Sequence, residues 1–293
     1  AMSGDNLAEM FDVMGGVGLG ELDATTLESA AAAMGGADMV EMGASAAATM
    51  FGTLTADIGA AAFTGDQLGG LFGALDPADI GNAISPGVLL ESTEKMTIEH
   101  FSNVGGEQAG AMFDALGSDQ VMELGGEQIA GMFSAMQSEQ LSDLGGAAVA
   151  EALVTMGTEN AIGMGADNLA EIVESLGVAD MATVGGDVLL DLASAMTGEA
   201  FGEMSLDTVG AMVETIGADA ALKSMGGEQL GGLLGAMDVE QIGEAFTDQD
   251  LTDVAGKMTG EDAKVMDADS ASVMLEAVIT VMEPGEVGNK GSA

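Results

Sequence analysis

The sequence has no cysteine, tryptophan, tyrosine or arginine, and it has a single histidine. Without cysteine there is no disulfide, no thiolate nucleophile and no sulfur-ligated zinc site. Nucleophilic catalysis needs a base held beside the nucleophile, and His100 is the one imidazole in the chain. Because a lone histidine is more often a packing or surface residue, the sequence predicts a protein that is not an enzyme.

Positive charge is almost as scarce, since five lysines face 49 aspartates and glutamates, for a net charge of −44. Proteins that bind nucleic acids or anionic membrane surfaces present clusters of lysine and arginine, so neither partner is expected. The stretch 44–63 is largely apolar, but its glycine, threonine and Asp57 argue against membrane insertion. So large a charge is better tolerated in a saline or divalent-rich environment, which favours an extracellular or cell-surface location.

What the sequence does contain is a repeat of 20 or 21 residues. An apolar residue, here called the anchor, recurs at this spacing along almost the whole chain, and Gly-Gly often follows it, as after Leu124. Positions are counted from each anchor, so that position 5, for example, is the fifth residue after the anchor in every repeat. The anchors are Met2, Leu22, Met42, Phe63, Ile84, Val104, Leu124, Leu144, Met164, Val184, Met204, Met225, Phe246 and Met266.

Each repeat carries the pattern of a helical hairpin. Apolar residues fall 5, 8, 9 and 12 positions after the anchor, as at Ile129, Met132, Phe133 and Met136, which is one face of a helix of about 11 residues. A second apolar pair, near position 17 and at the next anchor, predicts a helix of about two turns, or about 7 residues. Helices this short persist only when stacked.

The predicted fold is therefore all-α. We predict an α-solenoid of about 13 helical-hairpin repeats over residues 1–266. A C-terminal capping helix is predicted over residues 267–283, and a flexible tail over residues 284–293.

Glycines and acids mark the predicted helix boundaries. Glycine follows the anchor at Gly105, Gly125, Gly145, Gly165, Gly185 and Gly226, where the left-handed conformation that ends a helix is expected. Acids at positions 3 and 15 are expected in the first turns of the long and short helices, where they complement the helix dipole. At position 3 these acids are Asp5, Asp66, Glu107, Glu127, Asp167, Asp187, Asp207, Glu228 and Asp269. At position 15 they are Asp57, Glu99, Asp119, Glu139, Glu159, Glu199, Asp219, Glu240 and Glu261.

Acidic residues are densest near the C-terminus, and this cluster is the candidate metal site, with calcium as the ion it would hold. Its predicted ligands are Asp248, Asp250, Asp253, Asp267 and Asp269. The segment DADSA, residues 267–271, resembles the start of an EF-hand loop, but Val278 stands where the closing glutamate belongs. Equivalent acids of stacked repeats lie about 8–10 Å apart, so diffuse counterion binding is the alternative.

Two further patterns have simple structural interpretations. Thioethers bind Cu(I), but pairs such as Met132 and Met136 occupy positions that leucine and phenylalanine fill in other repeats, which favours core packing. The glycine-rich segment 15–21 has no lysine nearby to hold a phosphate. It is expected to form the short helix of the first repeat.

The segments SEQLSDL (138–144), SDQVMEL (118–124) and VEQIGEAF (239–246) resemble the S/T-x-x-Q-[ILV]-x-x-L units tiled in large bacterial surface and adhesin-like proteins. This resemblance implies an extracellular structural or adhesive role. The alternating helices also resemble the acidic helical-hairpin domain of the magnesium-transporter gating family, which implies metal-responsive packing. The sequence contains none of that family's membrane helices, and neither resemblance supplies catalytic residues.

These patterns together predict a non-enzymatic structural repeat protein, namely a spacer, fibre or adhesive segment about a hundred Å long. The first repeat has no obvious polar cap, so either end-to-end self-association or continuation into a longer repeat array is expected. One alternative is a protein that binds divalent cations or a mineral surface through its acidic edges. Another is a scaffold for protein partners in a high-salt cytoplasm.

Overall fold

The predicted all-α class is confirmed in a computed structural model, which describes residues 2–266 and 268–281 and, apart from residues 57–59, their side chains. This described part of the chain contains 21 α-helices, three short 3-10 helices and no β-strand. The chain divides into two compact units. The first runs to Ala148 and includes Thr155–Asn160, and the second comprises Val149–Val154 and the residues from Ala161 onward.

The described α-helices are between 6 and 19 residues long, and three of them run across a non-helical glycine, Gly15, Gly117 or Gly177. The α-helices are α1 (Gly4–Leu19), α2 (Ala24–Ala31), α3 (Gly36–Glu41), α4 (Ala44–Ile58), α5 (Gly65–Ala74), α6 (Pro77–Ala83), α7 (Pro86–Thr93), α8 (Gly106–Val121), α9 (Gly126–Ala135), α10 (Ser138–Leu144), α11 (Gly146–Met156), α12 (Thr158–Gly163), α13 (Ala166–Val184), α14 (Gly186–Ala195), α15 (Gly198–Glu203), α16 (Leu206–Ile216), α17 (Ala218–Ser224), α18 (Gly227–Gly235), α19 (Val239–Ala245), α20 (Asp248–Lys257) and α21 (Ala268–Val281). The 3-10 helices are Gly59–Ala62, His100–Asn103 and Asp262–Lys264.

The core is built from the apolar positions of the repeat. In α9, Ile129 and Met132 are fully buried and Phe133 is 1% exposed. Eleven of the fourteen anchors are buried as well, Met2, Leu22 and Leu144 being the exceptions. A hydrophobic stripe at helical spacing therefore drives each longer helix onto its neighbours.

The acids at position 3 behave as predicted, since all nine lie in the first turn of a helix. At position 15 the prediction holds for the first turns of α10, α12, α15, α17 and α19. It is wrong for Asp57, because α4 continues to Ile58 and so places this residue near a helix end. The predicted capping helix corresponds to α21, whereas residues 282–293, with the predicted tail, lie outside the described residues.

The glycines that follow anchors do not all act as predicted. Gly145, Gly165 and Gly185 have the positive φ values expected of them, 81°, 94° and 89°, but their ψ values of 143°, 163° and 148° are extended rather than those of a left-handed helical residue. The prediction is wrong for three others, Gly105, Gly125 and Gly226, whose φ values are −77°, −71° and −83°. At two of these sites the chain is already extended at the anchor, at Val104 and Met225, so the glycine serves as the N-cap of the next helix.

Close helix packing explains another group of glycines. In the first unit α3 packs against α5, and a Cβ on Gly70 would overlap the backbone of Gly36. In the second unit α15 packs against α18, and a Cβ on Gly232 would overlap the backbone of Gly198. Both pairs join the short helix of one sequence repeat to the long helix two repeats later. Because glycine has no Cβ, the two backbones can approach closely there.

Side chains from one repeat cap helix ends two repeats earlier. The buried amide of Gln67 donates from Nε2 to the carbonyl oxygens of Ala31 at 2.8 Å and Met34 at 2.9 Å. Lys95 Nζ donates to the carbonyl oxygens of Ala60 at 2.6 Å and Phe63 at 3.1 Å. The corresponding donors elsewhere are Gln108, Gln128, Gln229 and Lys257. These bonds satisfy carbonyls that a helix end leaves without an intrahelical partner.

Candidate functional site

The clearest candidate site is an acidic groove in the second unit, with a volume of about 540 Å³. Its carboxylates are Asp207 and Glu214 from α16 and Glu244 from α19, and all three residues are exposed. Its remaining lining is small, apolar or amide-bearing. These residues are Val178, Gly210, Ala211, Val213, Gly217, Ala218, Met237, Gln241 and Ala245.

The first unit contains a groove of the same design, with a volume of about 370 Å³. Its carboxylates are those of Glu107, Asp114, Glu139 and Asp143. Glu107, Asp114 and Asp143 occupy positions 3, 10 and 19, as Asp207, Glu214 and Glu244 do in the second unit. The shared lining pairs, first unit then second, are Glu107 and Asp207, Gly110 and Gly210, Ala111 and Ala211, Asp114 and Glu214, Gln140 and Gln241, Asp143 and Glu244, and Leu144 and Ala245. The site is therefore a product of the repeat rather than an isolated irregularity. We call the two cavities the acidic grooves.

A glycine at position 6 lies in the lining of each acidic groove. In the second unit, Gln241 Nε2 donates to the carbonyl oxygen of Leu206 at 3.0 Å, which ties α19 to the start of α16. A Cβ on Gly210 would lie 2.7 Å from that nitrogen, so a side chain there would displace the amide. In the first unit, a Cβ on Gly110 would be in ordinary contact with Gln140, at 3.6–3.7 Å. Glycine thus leaves room for the next repeat's glutamine in the second unit, whereas the first unit could accommodate a methyl group at this position.

The chemistry of the acidic grooves favours a cation that carries an apolar stem. Three carboxylates in the second unit and four in the first flank a floor of mostly small and apolar side chains, and neither groove has a lysine in its lining. A cleft lined by charge of one sign concentrates the opposite charge within it. A lysine or arginine side chain, or an aliphatic amine, combines the two features that this lining complements.

No protein-family model matches this chain, and no curated protein does.

The predicted calcium ligands have structural partners of their own. Asp250 caps α20, accepting hydrogen bonds from Thr247 N at 2.9 Å and Thr247 Oγ1 at 2.6 Å. Asp253 accepts from Gln249 Nε2 at 3.0 Å, while Asp248 and Asp269 lie in the first turns of α20 and α21. Asp267 lies outside the described residues.

Across residues 2–266 and 268–281, no three histidine, aspartate or glutamate side chains converge in an arrangement that could hold a metal ion. Among the predicted ligands that the structure describes, no three are thus brought together. The calcium site stays a prediction. The carboxylates of Asp250 and Asp253 bond to Thr247 and Gln249, and these contacts give the site no geometric support.

His100 has a local role at the start of its 3-10 helix. Its Nδ1 accepts a hydrogen bond from the backbone N–H of Thr97 at 2.9 Å and lies 3.1 Å from Thr97 Oγ1. These are the contacts of a helix-capping side chain. Of the methionines considered for copper, Met132 and Met136 are buried in the core as predicted. Among the described helices, none is long and apolar enough to cross a membrane.

A close pair of carboxyl groups, which the sequence did not indicate, lies between α1 and α3. The pKa of Asp5 is raised above its ordinary value of 3.8, first by the hydrogen bond that its side chain shares with Asp38 and then by repulsion from Asp38. Asp38 also accepts from the backbone N–H of Gly35 at 2.8 Å. The two acids are 33 residues apart in the chain, so only the packing of the helices brings them together.

Proposed function

We propose that this protein is a non-enzymatic structural repeat protein, an α-solenoid of about 13 helical-hairpin repeats that acts as a spacer, fibre or adhesive segment. One observation carries the proposal: glutamines at position 4 and lysines at position 11 of the repeat bond to the backbone of earlier repeats. The amide of Gln67 and the ammonium of Lys95 both bind backbone two repeats away. Asp66 does the same, since its Oδ2 accepts from Gly36 N at 2.6 Å.

The proposed location is the cell surface or the extracellular space. Its support is the charge of −44, which a saline or divalent-rich medium screens. The tiled glutamine-containing units that resemble bacterial surface proteins point the same way. We therefore propose adhesion and a cell-surface location on the basis of charge and sequence resemblance, and not on the basis of the fold.

A calcium titration tests the proposal. Thermal unfolding and small-angle scattering are measured at matched ionic strength in calcium and in sodium chloride. A spacer with diffuse counterions gives a gradual stabilisation that sodium reproduces, and a scattering profile that is the same at all calcium concentrations. A large, saturable stabilisation at submillimolar calcium would contradict the spacer role, and its loss in the Asp248→Asn, Asp253→Asn double variant would assign it to the C-terminal acids.

The acidic grooves favour a second candidate function, the binding of a basic protein segment. The observation behind it is the same carboxylate pattern at positions 3, 10 and 19 in both units. A lysine-rich peptide is the probe, and its binding is measured by calorimetry at two salt concentrations. The test variant replaces Asp207, Glu214 and Glu244 by their amides.

The matched control for that experiment replaces three exposed acids outside the groove, Glu199, Glu240 and Asp248, by their amides. Both variants change the net charge equally, so a difference between them reports the groove and not the overall field. Equal weakening by both variants would show that the peptide responds only to the total charge, and would remove this second candidate.

A further inference from the structure

Positions 8 and 9 of the repeat are adjacent core positions, and both are buried in the repeats between the one that starts at Met42 and the one that starts at Met225. Leu71 and Phe72 are fully buried in α5, as are Ile172 and Val173 in α13. Successive residues of a helix point about 100° apart, so positions 8 and 9 face different neighbours. In the first and last repeats of the described chain, positions 8 and 9 differ in exposure, and this difference shows which neighbouring repeat each position faces.

The first repeat buries position 9 and exposes position 8. Phe11 is 1% exposed, whereas Met10 is 39% exposed. Val13 at position 11 is 87% exposed, and Val17 is 86% exposed. At position 11 of a later repeat, Lys95 reaches carbonyls two repeats earlier, so position 11 faces toward preceding repeats. The apolar face of Met10 and Val13, here called the leading face, is therefore the side on which an earlier repeat would pack.

The last described repeat shows the converse. In α21, Leu275 at position 9 is 59% exposed, while Met274 at position 8 is partly buried. Ile279, four residues after Leu275 and hence on the same side of the helix, is 60% exposed. Leu275 and Ile279 form the trailing face, the side that a following repeat covers elsewhere in the chain. The helix predicted to close the array thus lacks a polar outer surface at these positions.

We propose that the trailing face of one copy of this chain binds the leading face of a second copy, through the contact that joins successive repeats within the chain. The inference rests on the proposed repeat architecture and names its partner. The two faces differ from each other, so the contact is heterologous and joins unlike faces of the two copies. Such contacts grow into open chains unless their geometry closes a ring. The charge of −44 opposes association, so salt is expected to promote it.

The experiment is sedimentation velocity on the full chain over a wide range of protein and sodium chloride concentrations. Val13→Glu disables the leading face and Leu275→Glu the trailing face. Both residues are exposed, so the fold is retained, which circular dichroism checks. The control is Val154→Glu, at a residue 51% exposed inside the chain. We expect mass to increase with concentration and salt for the parent and control, and association at least tenfold weaker for each end variant.

Mixing the two end variants gives the decisive result. Val13→Glu retains a trailing face and Leu275→Glu retains a leading face, so the mixture is expected to form dimers and nothing larger. A parent that stays monomeric at all salt and protein concentrations would overturn the proposal, and so would association that survives both end variants. An assembly abolished by only one variant would show a symmetric contact and overturn it too. None of these outcomes touches the spacer role, which the calcium titration decides.

Discussion

Replacing Gly70 by alanine should destabilise the first unit, although alanine normally strengthens a helix. Gly70 is buried in α5, and a Cβ there would overlap the backbone of Gly36 at the start of α3. Backbone cannot rotate out of the way as the end of a side chain can. The two helices must therefore move apart, which also weakens the bond between Gly36 N and Asp66 Oδ2, now 2.6 Å long.

The magnitude follows from two opposing effects. Inserting a methyl group into a filled contact typically costs about 1–3 kcal/mol, and the upper part of that range applies because the contact is with backbone. Alanine in place of glycine within a helix returns about 0.5–1 kcal/mol. The expected net loss is about 2 kcal/mol, which lowers the melting temperature by roughly 4–8 °C in a protein of this size class.

Gly81 supplies the matched control, because it lies in α6 and a Cβ there would meet no atom of the described residues within 4 Å beyond the backbone of its own helix. Gly81→Ala should raise stability by about 0.5–1 kcal/mol. The chain has no tryptophan or tyrosine, so unfolding is followed by far-ultraviolet circular dichroism with heat and with urea. If Gly70→Ala melts at or above the temperature of Gly81→Ala, the close backbone approach of α3 and α5 is refuted.

Three other changes test the contacts between repeats and the acid pair. Gln67→Leu leaves two carbonyls without their buried donor and should cost about 1–3 kcal/mol in urea unfolding, whereas Gln249→Leu, at an exposed amide, should cost little. Lys95→Met should lose about 0.3–1 kcal/mol by removing a charge from helix-end carbonyls, more than Lys223→Met, whose ion pair is exposed. Asp5→Asn should raise the melting temperature at neutral pH, because it removes the repulsion between the ionised carboxylates of Asp5 and Asp38. The pKa of Asp5 is raised in the folded state, so this repulsion destabilises the fold above that pKa. The gain from the substitution therefore disappears below pH 3.8.

Local features of the fold could be predicted from the sequence because they depend on residues close together in the chain. The 5, 8, 9, 12 spacing identified the buried face of helices such as α9. Acids at position 3 marked helix starts, because the first turn exposes N–H groups whatever the helix packs against. Proline at Pro77 and Pro86 likewise lies in the first turn of α6 and α7, where the missing N–H does no harm.

Features that depend on how repeats pack could not be predicted in this way. Gly125 and Gly145 have the same sequence context, Leu-Gly-Gly, yet their φ values are −71° and 81°. Which conformation each adopts depends on the path of the chain into the next helix. The acidic grooves and the Asp5–Asp38 pair were missed for the same reason. The recurrence of acids at positions 10 and 19 was visible in the sequence, but only the stacking of adjacent repeats brings these positions to one cavity.

The span of the capping bonds has a consequence for how the chain folds. Bonds such as those of Gln67, Lys95 and Lys257 join residues 32–36 apart, roughly a tenth of the chain length. Contacts of such short range form quickly, because little loop entropy is lost before they close. Folding can therefore begin at any three consecutive repeats and spread in both directions. During synthesis, the carbonyl groups at each such helix end would be capped as soon as the second repeat after that helix leaves the ribosome.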